Sequence, residues 1–398
     1  MHRAILVAVI ALVVAVSGVG MGVVAAPATD SPTAQVEPTC EFPLAVEDGT
    51  GEEIELDEEP ERIVAISPSD AQVLFEIGVE DRVVGMPVGA YTDYLDGHDE
   101  PGDISGEDGL TPNVETVVGL EPDLVLASSV ADEDQLAQLR DAGLTVYQYA
   151  PAASLDDVYD NVATAGELTG ECDGAEETMV WMDEEIGIVE AAIEGEEEPL
   201  VLYAMGGGFT AGEGSFTEQI VQRAGGVNLG SEAGIDFYEP ISDEVIVEED
   251  PDWIVYPDDV DEPDVSEEVL EATTAGQEGN VASVDAQFAN QPGPYVIHAI
   301  AELAETFHPD AYAEAAETVE DDADGAAEAQ DDVEETDDAE MDDTEADDDA
   351  EETDDVADEA DDEIDDGADD AAEDQPGFGV VVALVALLLA GLIGAHRR

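Results

Sequence analysis

Lysine is absent from this 398-residue chain, and against 105 aspartates and glutamates it sets only seven arginines and five histidines. A formal net charge of -98 excludes nucleic acid as a partner, because phosphate contacts need cations that such a surface lacks. Without lysine no Gly-Lys-Ser/Thr exists, so Gly206-Gly207-Gly208 is not a nucleotide-phosphate loop. There is no Gly-x-Ser-x-Gly nucleophile motif either. His98, His298 and His308 show no metal-ligand spacing, and His2 and His396 fall in the terminal segments. Pairs of carboxylates are so abundant that no acid/base pair can be singled out. These absences predict a protein that is not an enzyme and holds no cofactor or metal.

Long apolar runs occur only at the two ends. His2 and Arg3 precede an uncharged run over 4–26, and Ala26-Pro27-Ala28 supplies an Ala-x-Ala cleavage site, so 1–28 reads as a secretory signal peptide. The alternative is an uncleaved N-terminal anchor, which leaves the next domain facing outward as well. At the other end Gln375-Pro376-Gly377-Phe378 leads into an apolar run over 379–395 closed by His396, Arg397 and Arg398. That run is at the short limit for crossing a bilayer, and the arginines favour a cytoplasmic terminus. Pro-Gly-Phe followed by an apolar stretch and a basic end also resembles the C-terminal sorting signal of archaeal surface proteins, in which the tail is exchanged for a lipid. Either form makes 376–398 an anchor on the outer face of the cell membrane.

Between folded region and anchor, 35 of the 61 residues over 314–374 are acidic and none is basic. Such a tract repels itself and has too little apolar surface to offset chain entropy, so 314–375 is expected to be a disordered stalk. The remaining charge carries a second expectation. Molar salt shortens the Debye length to about 3 Å and removes most of this self-repulsion, which points to a halophilic, haloarchaeal source. The two cysteines, Cys40 and Cys172, are an even pair in an exported chain and predict a disulfide; two free thiols are the alternative.

The folded region alternates β-rich runs with helical patterns. Arg62-Ile-Val-Ala-Ile66 is followed by Ser67-Pro68-Ser69 and a helical pattern ending at Gly78; further strands are expected at Val83, at 123–127 and at 145–149. From 154 to about 195 the pattern is helical, interrupted by Gly170 and Gly174, and a second alternating series begins at Pro199. The expected architecture is α/β: an N-terminal lobe over 40–153, a connecting backbone helix over 154–195 and a C-terminal lobe over 196–313, with a ligand cleft between the lobes. An internal repeat supports the division. Glu115 lies seven residues before Pro122-Asp123, Glu244 seven before Pro251-Asp252, and a buried strand follows each.

Arg62-Ile-Val-Ala-Ile-Ser-Pro-Ser69, the segment 114–126, Phe209-Thr-Ala-Gly212, Gly225-Gly-Val-Asn228, Ser242-Asp-Glu244 and Gln291-Pro-Gly-Pro294 occur in an order and spacing that resembles the class III substrate-binding proteins of ABC importers for cobalamin, haem and iron-siderophores. The resemblance extends over about 42–307. It implies two α/β lobes on one rigid helix and a monomer that delivers its ligand to a permease dimer and, through it, to an ATPase. It also implies that Glu115 and Glu244, one on each lobe, dock onto arginines of the permease. Loops at strand ends would line the cleft: Ser67, Ser69, Tyr91, Phe209, Phe237, Tyr238, Phe288 and Asn290. Tyr91 resembles a cobalamin-contacting tyrosine. Aromatic faces interleaved with polar groups suit a flat corrin with amide arms. The chain departs from its relatives at Gly106-Glu107-Asp108, where a tryptophan is common, and at Tyr295, a commonly basic position. Loss of basic residues disfavours anionic siderophores and haem propionates, so cobalamin is the expected ligand. A ferric-siderophore, haem or metal-binding protein of this fold, or an adhesive surface protein without a small ligand, are the alternatives.

Overall fold

Short runs of valine, isoleucine and leucine, each with both neighbours of the strand buried, assemble two sheets that share one continuous core. The computed structural model describes residues 40–106 and 111–319; the signal segment, the stalk beyond 319 and the C-terminal segment lie outside them. The N-terminal lobe runs β1 (Leu44–Glu47), β2 (Glu53–Leu56), β3 (Ile63–Ala65), α1 (Pro68–Glu76), β4 (Val83–Met86), β5 (Gly102–Asp103), α2 (Val114–Gly119), β6 (Leu124–Ala127), α3 (Glu133–Asp141), β7 (Val146–Gln148) and α4 (Leu155–Thr169), and α5 (Cys172–Ile193) leads out of it. β1 and β2 form an antiparallel hairpin. The other five strands form a parallel sheet in the order β5-β4-β3-β6-β7.

The C-terminal lobe runs β8 (Leu200–Met205), β9 (Phe209–Ala211), α6 (Phe216–Arg223), β10 (Val227–Asn228), α7 (Leu229–Glu232), β11 (Tyr238–Pro240), α8 (Asp243–Glu249), β12 (Trp253–Pro257), α9 (Glu267–Ala272), α10 (Thr274–Glu278), β13 (Val281–Val284), α11 (Ala286–Ala289) and α12 (Val296–Phe307). Its sheet order is β11-β9-β8-β12-β13, with β10 also on β8. β8, β10, β12 and β13 are parallel, whereas the β9 and β11 edge is antiparallel.

Period-two alternation divides each central strand between two cores. Ile63, Ala65, Leu124 and Leu126 face inward with Val201, Tyr203 and Val255 of the other lobe, in one core that runs through α4, α5 and α12. Val64, Val117, Val125, Leu136 and Leu139 pack outward beneath α2 and α3. Leu202, Ile246, Ile254, Val269 and Ala275 do the same beneath α8, α9 and α10.

The helical segment expected over 154–195 is two helices. Gly170 ends α4 in the left-handed conformation, at φ 78°, which glycine adopts without steric cost. Gly174 does not interrupt anything. It lies inside α5, where a Cβ would come within 2.1 Å of the Ile77 carbonyl oxygen, so its small size lets α5 cross the end of α1. The 22-residue α5 is the connecting helix. Cys40 and Cys172 form a disulfide, with Cα atoms 6.0 Å apart, that ties the start of the lobe to the start of α5. The folded part also runs past 313: residues 309–319 are helical, with Ala315 buried and Tyr312 packed on the core, so the stalk does not begin at 314.

Candidate functional site

The internal repeat has a structural cause. Asp123 accepts hydrogen bonds from the backbone N–H groups of Glu61 and Arg62 at 3.1 and 3.0 Å, and Asp252 from that of Leu200 at 2.9 Å. Each Pro-Asp thus pins the start of the neighbouring central strand. Before each proline the chain turns through a left-handed residue, Glu121 at φ 49° and Asp250 at φ 52°. The helices feeding these turns, α2 and α8, are capped by Asn113 and Ser242 and lie over the outward cores. Glu115 and Glu244 are exposed in their first turns, at equivalent places on the two lobes.

The carboxyl ends of the parallel strands are where such sheets leave room for a ligand. From the N-terminal lobe the loop after β4 contributes Tyr91; from the C-terminal lobe the loop after β12 contributes Asp259. The Tyr91 hydroxyl donates to Asp259 Oδ2 at 3.2 Å, and the Asn290 side chain lies close enough to act on the Tyr91 phenol. Burial, reinforced by the Asp259 charge, pushes the Tyr91 phenol up to about 12. Burial and the adjacent Asp258 raise Asp259 above the usual carboxylate range. Tyr203 of β8 is fully buried beneath this group, close enough to Tyr238, Asp259 and Tyr91 for their charges to oppose its ionisation, although burial is the larger cause.

The junction of the lobes beside this group explains Gln291-Pro-Gly-Pro294. The Tyr295 N–H donates to Gln72 Oε1 of α1 at 2.9 Å, and a Cβ on Gly293 would meet that oxygen at 2.3 Å. Gln291 Nε2 donates to the Tyr91 carbonyl at 3.2 Å, and Gln287 Nε2 donates to the Ala90 carbonyl and, at 3.0 Å, to Asp93. Phe288 packs here too, with ring centroids 5.4 Å from both Tyr94 and Tyr295. Tyr295, at the position expected to be basic, fills the space between Trp181 of α5 and Phe288.

The other expected residues are spread around the cleft. Ser67 caps α1: its backbone N–H donates to Asp70 at 3.1 Å and its hydroxyl to the same oxygen. Ser69 borders a small pocket with Asp70, Ser128, Tyr149, Asn161 and, from the other lobe, Pro292. Burial raises the Asp70 carboxyl to about 6 despite hydrogen bonds from Ser67 and Ser128. Phe237 sits at φ 60°, strained for a bulky residue, with its ring 4.7 Å from that of Tyr238. The Tyr238 hydroxyl lies 3.3 Å from Thr217. Phe209 borders a different small pocket, with Ile241, Asp243 and Asp264 under the first turn of α8. The structure therefore places Asn290 beside Tyr91, keeps Phe288 in the lobe junction, and leaves Tyr238 against Thr217 and Phe237. Asp259, Tyr203 and Gln287 are not among the residues expected from sequence. Asp259 had one usable signal, its place just past a buried strand, but an aspartate is unremarkable in so acidic a chain.

All four arginines among the described residues are occupied elsewhere. Arg62 donates to the carbonyls of Leu120 and Glu121 at the amino ends of the strands. Arg82 pairs with Glu59 and Glu171, Arg140 with Asp48 and Glu52, and Arg223 with Asp156 and Glu190. None of these partners belongs to the cleft loops.

The periplasmic binding protein family model matches residues 63–288, and the chain belongs to that family. It is 35% identical over 318 residues to a cobalamin-binding protein of Halobacterium salinarum, covering 77% of this chain and 86% of that protein. It is 28% identical to an uncharacterized ABC transporter substrate-binding lipoprotein of Bacillus subtilis, covering 69% and 88%. The fold is that of the vitamin B12 binding protein BtuF of Vibrio cholerae, with a TM-score of 0.54 at 20% identity, covering 62% of this chain and 96% of that one. The periplasmic heme-binding protein RhuT of Roseiflexus is similar at a TM-score of 0.54 and 23% identity, covering 63% and 99%. A PGF-CTERM motif matches residues 375–395, so the C-terminal segment carries the archaeal sorting signature. Among the described residues no helix is long and apolar enough to cross a membrane.

Proposed function

We propose that this chain is the non-enzymatic, substrate-binding component of an ABC importer, held on the outer face of a halophile's cell membrane by its C-terminal segment, and that its ligand is cobalamin or a related corrinoid. The observation that carries the ligand reading is that Tyr91 of one lobe hydrogen-bonds Asp259 of the other, beside Asn290, while every described arginine is paired elsewhere. Propionates of haem and the anionic groups of many siderophores call for Arg or Lys partners, whereas a corrin with neutral amide arms calls for aromatic faces and hydrogen-bonding groups. The relationship to the Halobacterium cobalamin-binding protein supports the same ligand. Delivery requires docking, and Glu115 and Glu244, exposed at matching places on the two lobes, would fix register and orientation on a permease dimer better than one contact could.

The test is calorimetric titration of the full-length chain in molar KCl with cyanocobalamin, haemin and a ferric siderophore. One-to-one binding of cyanocobalamin alone is the expected result. Binding of haemin or the siderophore alone would overturn the ligand while keeping the importer role, and failure of all three would favour an adhesive protein.

A further inference from the structure

Two buried polar atoms have no hydrogen-bond partner, the Tyr203 hydroxyl and Asp259 Oδ1, and they lie near enough for the Asp259 charge to oppose ionisation of Tyr203. Tyr203 is only 1% exposed. It stands on β8 opposite Val255 of β12, and Asp259 follows two residues beyond the end of β12. A folded chain seldom leaves such groups unsatisfied, because desolvating them without a partner is costly, and exceptions call for a missing partner such as a ligand or ordered water. The second carboxylate oxygen of Asp259 is already held by the Tyr91 hydroxyl at 3.2 Å, which fixes the direction of the free one.

We propose that Asp259 and Tyr203 form a subsite that recognises a primary amide of the ligand and rejects a carboxylate in its place. The amide N–H would donate to Asp259 Oδ1 and its carbonyl would accept from the Tyr203 hydroxyl, so one planar group satisfies both orphaned atoms. A carboxylate has no N–H to offer and sets a second negative charge beside Asp259 and Asp258, with none of the described arginines free to offset it. Sites built to hydrogen-bond one group discriminate strongly against an analogue that lacks it, because their own polar atoms are then left unpaired. The inference rests on the corrinoid reading above: a corrin carries several amide arms, and one of them would occupy this subsite.

The experiment compares cyanocobalamin with its monocarboxylic acid derivatives, each with one side-chain amide hydrolysed, on the full-length chain in molar KCl. The wild type is expected to bind at least one derivative ~10-fold or more weakly than the parent. Asp259→Asn, whose amide can donate to a carboxylate, should shrink that ratio to within about 3-fold, and Tyr203→Phe should weaken the parent ~5-fold or more. Melting temperatures of both variants show whether they fold, and the wild-type ratio needs no variant. A wild type that binds no cyanocobalamin overturns the corrinoid reading and the subsite with it. Tight binding of cyanocobalamin with no discrimination among its acids, or with the discrimination intact in Asp259→Asn, overturns the subsite alone.

Discussion

Asp70 shows how one residue is set by its neighbours. Buried in the first turn of α1, it accepts hydrogen bonds from Ser67 and from the Ser128 N–H at 3.1 Å, yet desolvation still raises its carboxyl from 3.8 to about 6. The folded state therefore binds the proton more tightly than the unfolded chain does. This contribution to stability is complete below pH ~4 and is lost as pH rises to ~6, up to about 3 kcal/mol. Asp70→Asn lacks that titration and keeps an acceptor for both N–H groups. Denaturation in molar salt should show the variant gaining on the wild type by up to about 3 kcal/mol between pH 4 and 7; parallel stability curves would contradict the assignment. Ser67 was legible in sequence as a residue at a strand end, but not its commitment to this cap, since that depends on Asp70 being buried.

At the scale of elements, the crossing of α1 and α5 and the disulfide hold the N-terminal lobe to the connecting helix. Gly174→Ala would drive a Cβ into the Ile77 carbonyl, which is backbone and cannot swing aside. Its unfolding free energy should fall by about 1–3 kcal/mol, whereas Gly187→Ala, in the same helix with open space around it, should lose nothing; equal effects on the two would sink the packing account. The Cys40–Cys172 bridge closes a sequence separation of 132 residues. Replacing both cysteines by serine should cost about 2–5 kcal/mol, because the bridge chiefly restricts the unfolded chain. Urea midpoints of oxidised wild type and variant measure this, and coincident midpoints would exclude it. The central strands β3, β4, β6, β7, β8 and β12 were legible because buried parallel strands are short continuous apolar runs, whereas β1, β2, β5, β10 and β13 were not. The antiparallel β9 and β11 edge was not, since Phe209–Ala211 and Tyr238–Pro240 are three residues each and depend on pairing with one another.

For the whole molecule, the net charge of -98 predicts that the lobes need high salt to stay folded. At 0.1 M salt the Debye length is about 10 Å, so carboxylates on neighbouring elements repel; at 1 M it is about 3 Å. Dialysis from molar to 0.1 M KCl should lower the Tm by many degrees, and a Tm independent of salt would remove the halophilic reading. The paired lobes carry a further expectation. Glu115→Gln together with Glu244→Gln should leave ligand affinity unchanged and reduce ligand uptake by cells at least ~10-fold, as loss of close charge pairs at an interface does; unimpaired uptake would exclude both glutamates from docking.

Composition and pattern by themselves determined the acidic character of this protein, the two α/β lobes, and the repeated helix, Pro-Asp turn and strand. Each of these rests on local signals, namely apolar periodicity, turn residues and net charge. What only the tertiary structure decided is which residues meet. Tyr91 and Asp259 are 168 positions apart, and Tyr203 lies on a strand whose apolar run hides an unpartnered hydroxyl. No local pattern encodes such a meeting, because it is set by the register of β12 on β8 and by how the lobe junction at Gln72 and Gly293 brings the two walls together.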